Sequence, residues 1–190
     1  MKQLHIITPV KDSIELTLQT IESILASDFT VPYRYFVYND FSTEENTERL
    51  REASESLGFE LVNLSDLTEH PSPNYLLILQ TAQEKAIAAE AGLLIVESDV
   101  IVKKHTLQAL FDGASDRPDC GIAAAVTVDE QENINYPYLY AKGKEGQVFP
   151  EKKHLSFCCS LLTLSFLKTF DFHQLDPEKN WHDVTISHRS

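Results

Sequence analysis

Short apolar runs alternate along the chain with longer stretches in which apolar residues recur at helical spacing, the pattern of strands interleaved with amphipathic helices. Leu4-His5-Ile6-Ile7 is a β-type run closed by Thr8-Pro9. Ile14, Leu18, Ile21 and Leu25 then predict a helix, and Asp12 stands three residues before Glu15 in the capping-box arrangement. Tyr33-Arg34-Tyr35-Phe36-Val37-Tyr38 reads as a second strand ending at Asn39-Asp40. Ser42 and Thr43 can cap the next helix, with Glu44 and Glu45 in its first turn, Leu50, Ala53 and Leu57 on one face, and Gly58 as C-cap. Residues 59–64 make a third strand, and residues 65–73 a polar turn whose two prolines forbid a helix.

Over residues 74–91, Tyr75, Leu79, Ala82, Ala86 and Ala89 share one helical face, and Gly92 stops the run. The strand that follows is the centre of the pattern. In residues 93–103, Leu-Leu-Ile-Val runs into Glu97-Ser98-Asp99, and a second apolar run leaves through Val100-Ile101-Val102. Carboxylates at the end of a buried strand need a basic side chain, backbone N–H groups or a divalent cation as partner. A helix over 106–114 and a strand over 121–128 complete an alternation that predicts an α/β fold, a mostly parallel sheet with helices on both faces. Residues 129–153 read as loop or small hairpin, 155–164 as strand or buried segment, 165–170 as a short helix and 181–189 as helix-like, with Trp181 or Val184 beside His188. With no repeat and no linker, residues 1–190 read as one domain.

Charge narrows the partners. With 29 Asp plus Glu against 16 Lys plus Arg, the formal net charge of -13 would repel a polyanion, so nucleic acid is excluded as a partner. A small anionic ligand remains compatible where a metal or helix N-termini supply positive charge. Cys120, Cys158 and Cys159 are odd in number, two of them adjacent and none at zinc-ligand spacing, which predicts reduced packing thiols and a cytoplasmic setting. There is no apolar signal region in residues 1–10 and no 18-residue apolar run, so no transmembrane segment is expected; peripheral membrane contact stays open.

In an open parallel sheet, ligands bind beyond the carboxyl ends of the strands, where Thr8, Asp12, Asp40, Glu97 and Asp99 would gather. The arrangement resembles the GT-A (Rossmann-like) glycosyltransferases, in particular the inverting family two. The Pro-Val-Tyr-Asn type motif after the first strand is matched by Thr8-Pro9-Val10-Lys11-Asp12, and Asp-Asp-Gly-Ser-Thr after the second by Asn39-Asp40-Phe41-Ser42-Thr43. The Asp-x-Asp motif is matched by Glu97-Ser98-Asp99, and the late Glu-Asp followed by a helix ending in Arg by residues 182–189. Four motifs in order cover nearly the whole chain.

The resemblance implies a nucleotide-binding part over about residues 1–128 and an acceptor-side part over about 129–190, either compact or truncated after Arg189. It implies a nucleoside-diphosphate sugar as donor and a carbohydrate or other hydroxyl acceptor. Asp40 would accept from the base, with Thr8 and Pro9 lining its pocket and Asp12 nearby. Glu97 would lie near the ribose or the metal shell, and Asp99 would hold Mg²⁺ or Mn²⁺ on the diphosphate. Asp183 would be the general base of an inverting displacement. Trp181, His182 and Arg189 would face the acceptor, Trp181 as a sugar platform. Simpler roles stand beside these: Asp12 as helix cap, Asp40 as turn residue, Glu97 and Asp99 as a solvated turn between two strands, Trp181 as core. His5, His70, His105, His154 and His173 read as structural or surface groups. Asn39, Phe41, Glu97 and His182 depart from the motifs, which leaves a degenerate nucleotide-sugar-binding module as the alternative. A nucleotidyltransferase is a third reading, but residues 8–13 lack the glycine-rich phosphate loop.

Overall fold

The computed structural model describes residues 1–151, 155–179 and 181–190. The end of the expected loop at Lys152 and Lys153 and the surface role expected of His154 lie outside the described residues, as does Asn180. In chain order the elements are β1 (Leu4–Val10), α1 (Ile14–Leu25), β2 (Tyr33–Asn39), α2 (Glu44–Leu57), β3 (Glu60–Asn63), α3 (Tyr75–Ala88), β4 (Gly92–Val96), α4 (Thr106–Ser115), β5 (Ile122–Ala124), β6 (Cys159–Leu162), α5 (Leu164–Thr169) and α6 (His182–Ser187). Short 3₁₀ turns stand at Leu64–Asp66, Tyr138–Ala141 and Phe172–Gln174.

The strands form one sheet in the order β3-β2-β1-β4-β6-β5. β3, β2, β1 and β4 run parallel, whereas β6 is antiparallel to both β4 and β5. Period-two alternation along β1 divides the core. Leu4, Ile6 and Val10 pack with Ile14, Ile21, Leu50 and Leu107 from α1, α2 and α4. Ile7 packs with Ile78, Leu79, Leu167 and Ile186 from α3, α5 and α6 on the other face. Both faces of the sheet are therefore covered, as parallel strands require.

Several boundaries differ from the sequence pattern, each for a local reason. β1 continues through Pro9 to Val10 because its pairing with β4 ends at Ile7, so the missing proline N–H falls where no β4 bond is due. Residues 100–102 form no strand: Val100 N–H bonds the Glu97 carbonyl at 3.2 Å in a tight turn, and Val102 N–H goes to Ser23 Oγ at 3.1 Å. The expected strand over 121–128 shortens to β5, and Val128 makes only a single bridge to Ile134. Caps at Thr43, which accepts from the Asn46 N–H, and at Gly58, with φ +80°, stand as the sequence predicts.

The chain leaves β1 toward β2 and β3 on one side and returns to β4 on the other. The switch point, where α/β sheets bind ligands, therefore lies beyond the carboxyl ends of β1 and β4.

Candidate active site

Glu97 is the first residue past β4, its N–H bonded to the Cys158 carbonyl at 3.0 Å, so it stands at that switch point. The Tyr75 hydroxyl donates to Glu97 Oε1 at 2.9 Å. Burial pushes the Glu97 carboxyl up to about 7, assisted by the charges of Asp99 and Asp183 and opposed by the Tyr75 bond. Asp99 follows in the turn and is exposed. Asp183, in the first turn of α6, lies close enough to raise the proton affinity of both Glu97 and Tyr75, and its Oδ1 accepts the Val184 N–H at 2.8 Å. Three carboxylates from two distant segments thus share one electrostatic locus. Negative charge so concentrated favours a cation or a proton there.

Asp40, one residue past β2, is buried and tied to the loop that opens α3. Its Oδ2 accepts Ser72 Oγ and the Asn74 N–H, both at 2.8 Å, and its Oδ1 accepts Asn74 Nδ2 at 2.7 Å. Asn39, in place of an acidic residue, closes the same turn through Thr47, Asn63 and the Ser42 N–H. Phe41, in place of a glycine, keeps a left-handed φ of +59°.

Asp12 does not cap α1, contrary to the capping-box expectation. Its φ of +60° turns the side chain across to α2, where Oδ1 accepts the Thr43 N–H at 2.6 Å and Asn46 Nδ2 at 3.3 Å. The Thr43 bond, then Asn46, hold its carboxyl below the usual range. Glu15, freed from the box, pairs with Arg49 at 2.7 Å. Thr8 is fully buried on the α1 and α2 face with its hydroxyl 2.8 Å from Tyr35 Oη, so its side chain forms no pocket wall; buried Pro9 alternates to the face of Ile7.

The acceptor-side candidates divide. Trp181 is 72% exposed at the N-cap of α6, which removes the core reading. His182 and Arg189 instead line a separate cavity of about 220 Å³ with Phe170, Leu175, Asp176 and Lys179. Burial lowers the His182 pKa, and the Arg189 guanidinium lies over the Phe170 ring at 5.8 Å.

Sequence reasoning missed two residues at the centre. Tyr75 sits in the apolar face of α3, and nothing in the pattern marks its hydroxyl; Cys158 reads as packing, yet its thiol lies 3.0 Å from Ser156 Oγ and feels the charges of Glu97 and Asp99. Only the pairing of β4 with the antiparallel β6 brings Cys158 beside Glu97, and antiparallel pairing has no local signal.

The raised Glu97 value has a consequence for stability. Between the ordinary carboxylate range and about 7 the folded chain holds a proton that the unfolded chain has lost, so stability from this group is full at low pH and lost as pH rises through about 7. Wild-type chain is expected to lose on the order of 1–3 kcal/mol of unfolding free energy from this group between about pH 5 and about pH 8. In Glu97→Gln that loss should vanish. Urea unfolding at the two pH values checks it, and an unchanged slope in the variant would assign the dependence to other groups.

With its parallel core, antiparallel β6 and acidic switch point, the chain has the GT-A glycosyltransferase fold. No protein-family model and no curated protein sequence matches it. Among solved structures it is similar over 100% of its length to S. aureus TarS 1–349, at 17% identity and a TM-score of 0.63, covering 55% of that chain. For the same protein in complex with UDP the match is 98% of this chain and 54% of that one, at 17% identity and a TM-score of 0.64. The mannosyltransferase PcManGT from Pyrobaculum calidifontis, in complex with GDP-Man and Mn²⁺, matches 66% of this chain and 35% of its own at 18% identity and a TM-score of 0.50. The chain thus spans about half the length of the TarS 1–349 structures. At these identities the likeness is one of fold. No helix among the described residues is long and apolar enough to cross a membrane.

Proposed function

We propose that this chain is the catalytic domain of a glycosyltransferase that moves a sugar from a nucleoside-diphosphate donor to a hydroxyl acceptor with inversion, assisted by Mg²⁺ or Mn²⁺. The observation that carries this reading is the convergence of Glu97, Asp99 and Asp183 at the switch point of a sheet whose fold neighbours include complexes with UDP and with GDP-Man.

Asp40 is the base-side contact. A carboxylate offers about four lone-pair sites; Ser72 and Asn74 take three of them on Asp40, which leaves one on Oδ1 for a nucleobase donor. Pro9 contributes to the floor beside it, Thr8 supports that floor from behind through Tyr35, and Asp12 holds the β1 and β2 loops together. Asp99 is the metal ligand. Among the described residues no three His, Cys, Asp or Glu side chains are grouped for a metal. The candidates are therefore Asp99 with Glu97 beside it, and Mg²⁺ is an ion that binds through one or two carboxylates together with substrate phosphates and water rather than in an all-protein cage. When bound, such an ion neutralises charge on the departing nucleoside diphosphate.

Asp183 takes the proton of the acceptor hydroxyl as its oxygen attacks the anomeric carbon. The bond to the diphosphate oxygen breaks from the opposite side, and its electron pair leaves with the nucleoside diphosphate. Trp181, exposed two residues before this base, stacks against the acceptor sugar, with His182 and Arg189, which share a cavity, shaping the approach. Three free thiols support a reducing, cytoplasmic setting.

The second reading, a binding module without turnover, is favoured by His182, which stands where the family carries an acid and points into its own cavity. Incubation with UDP-GlcNAc or GDP-mannose, Mn²⁺ and simple sugar acceptors separates the two. Released nucleotide above the no-enzyme rate supports transfer, whereas binding of either donor with no release supports the module.

A further inference from the structure

α3 is held more firmly at its first turn than helix formation requires. Its N-cap, Asn74, makes no side-chain bond to its own helix; the side chain donates instead to Asp40 Oδ1 at 2.7 Å and to the His70 carbonyl at 3.0 Å. The next residue, Tyr75, donates to Glu97 Oε1. Consecutive residues therefore grip the carboxylates at the ends of β2 and β4, the strands that flank β1. Farther along, buried Gln83 donates to the Leu167 and Phe170 carbonyls at 2.9 and 2.6 Å and accepts the Phe172 N–H at 2.8 Å, so α3 is fixed along its length as well. The Tyr75 hydroxyl is thus delivered to Glu97 from a rigid mount. Among the described residues Glu97 Oε2 has no hydrogen-bond partner.

We propose that Tyr75 is a positioning residue for nucleotide binding: by holding Oε1 of Glu97 it leaves Oε2 of that residue to accept from a ligand beyond the ends of β1 and β4. This rests on the donor-site reading above. A free glutamate has three rotatable bonds and two equivalent oxygens. Fixing one oxygen to a half-buried phenol removes most of that freedom before a ligand arrives, which lowers the cost of binding. A phenylalanine at the same place keeps the ring packed on the core and removes only the hydroxyl.

The test is a double-mutant cycle of Tyr75→Phe and Glu97→Ala, read as affinity for UDP and for GDP in the presence of Mn²⁺, with thermal unfolding to verify that both variants fold. Loss of a hydrogen bond to a charged group predicts roughly a ten-fold weaker nucleotide affinity in Tyr75→Phe. In the Glu97→Ala background the same substitution should change nothing, because Tyr75 acts through Glu97 and alanine offers its hydroxyl no acceptor. A purely structural role for Tyr75 would give the same fold-change in both backgrounds and would overturn the proposal, as would full affinity in Tyr75→Phe. If the wild-type chain takes neither nucleotide, the donor-site reading fails and takes this one with it, an outcome visible before any variant is made.

Discussion

Asp183→Asn is expected to lower turnover of a nucleotide-sugar donor by about 10²–10⁴-fold, the contribution of a positioned general base, while nucleotide affinity stays unchanged. The asparagine keeps an oxygen where Asp183 Oδ1 accepts the Val184 N–H, so the start of α6 is preserved and the loss is chemical. What disappears is the only carboxylate of α6 that feels Glu97. Single-turnover measurement of nucleotide release in wild type and variant reads this directly. Equal rates would remove Asp183 from the chemistry, and weakened nucleotide binding would move it to the donor side.

Asp99→Ala is expected to abolish the effect of Mn²⁺ on nucleotide binding. Asp99 is exposed in the turn after β4, so the substitution leaves the core untouched and should alter stability by less than about 0.5 kcal/mol. Removing an outer partner of a metal site costs about 10–100-fold in metal affinity, and loss of a direct ligand should cost at least that. Glu97 alone cannot replace it: one of its oxygens is held by Tyr75, and a proton competes for it near neutral pH. Metal-dependent binding that survives in Asp99→Ala would shift the ligand role elsewhere.

The sequence was most legible where structure is local. The apolar face of α3, the Thr43 and Gly58 caps of α2 and the buried runs of β1, β2 and β4 follow from residue spacing and cap chemistry, and they suffice to place Asp40, Glu97 and Asp99 at one end of a sheet. What escaped depends on contacts distant in sequence. Asp12 lies in a capping-box pattern, yet its positive φ gives its carboxylate to α2, a choice fixed by the approach of the two loops. β6 reads as an apolar run of either direction; only its register, Val96 with Cys159, shows it antiparallel and sets Cys158 beside Glu97. Tyr75 is hidden for the reason that makes α3 easy to find, since a tyrosine on an apolar face satisfies the helical pattern whatever its hydroxyl does. Trp181 shows the converse, because a lone tryptophan near a helix start reads as core until its exposure is known.

All of these features converge on whether the switch point takes a nucleotide together with a metal. Calorimetric titration of the chain with UDP and with GDP, each with and without Mn²⁺, puts that question most directly, and the quenching of Trp181, the only tryptophan, gives an independent signal near Asp183. The expected result is one-to-one binding of at least one of the two nucleotides that requires Mn²⁺ and is lost in Asp99→Ala. Binding of neither nucleotide under any of these conditions, or binding indifferent to both Mn²⁺ and Asp99, would contradict the account.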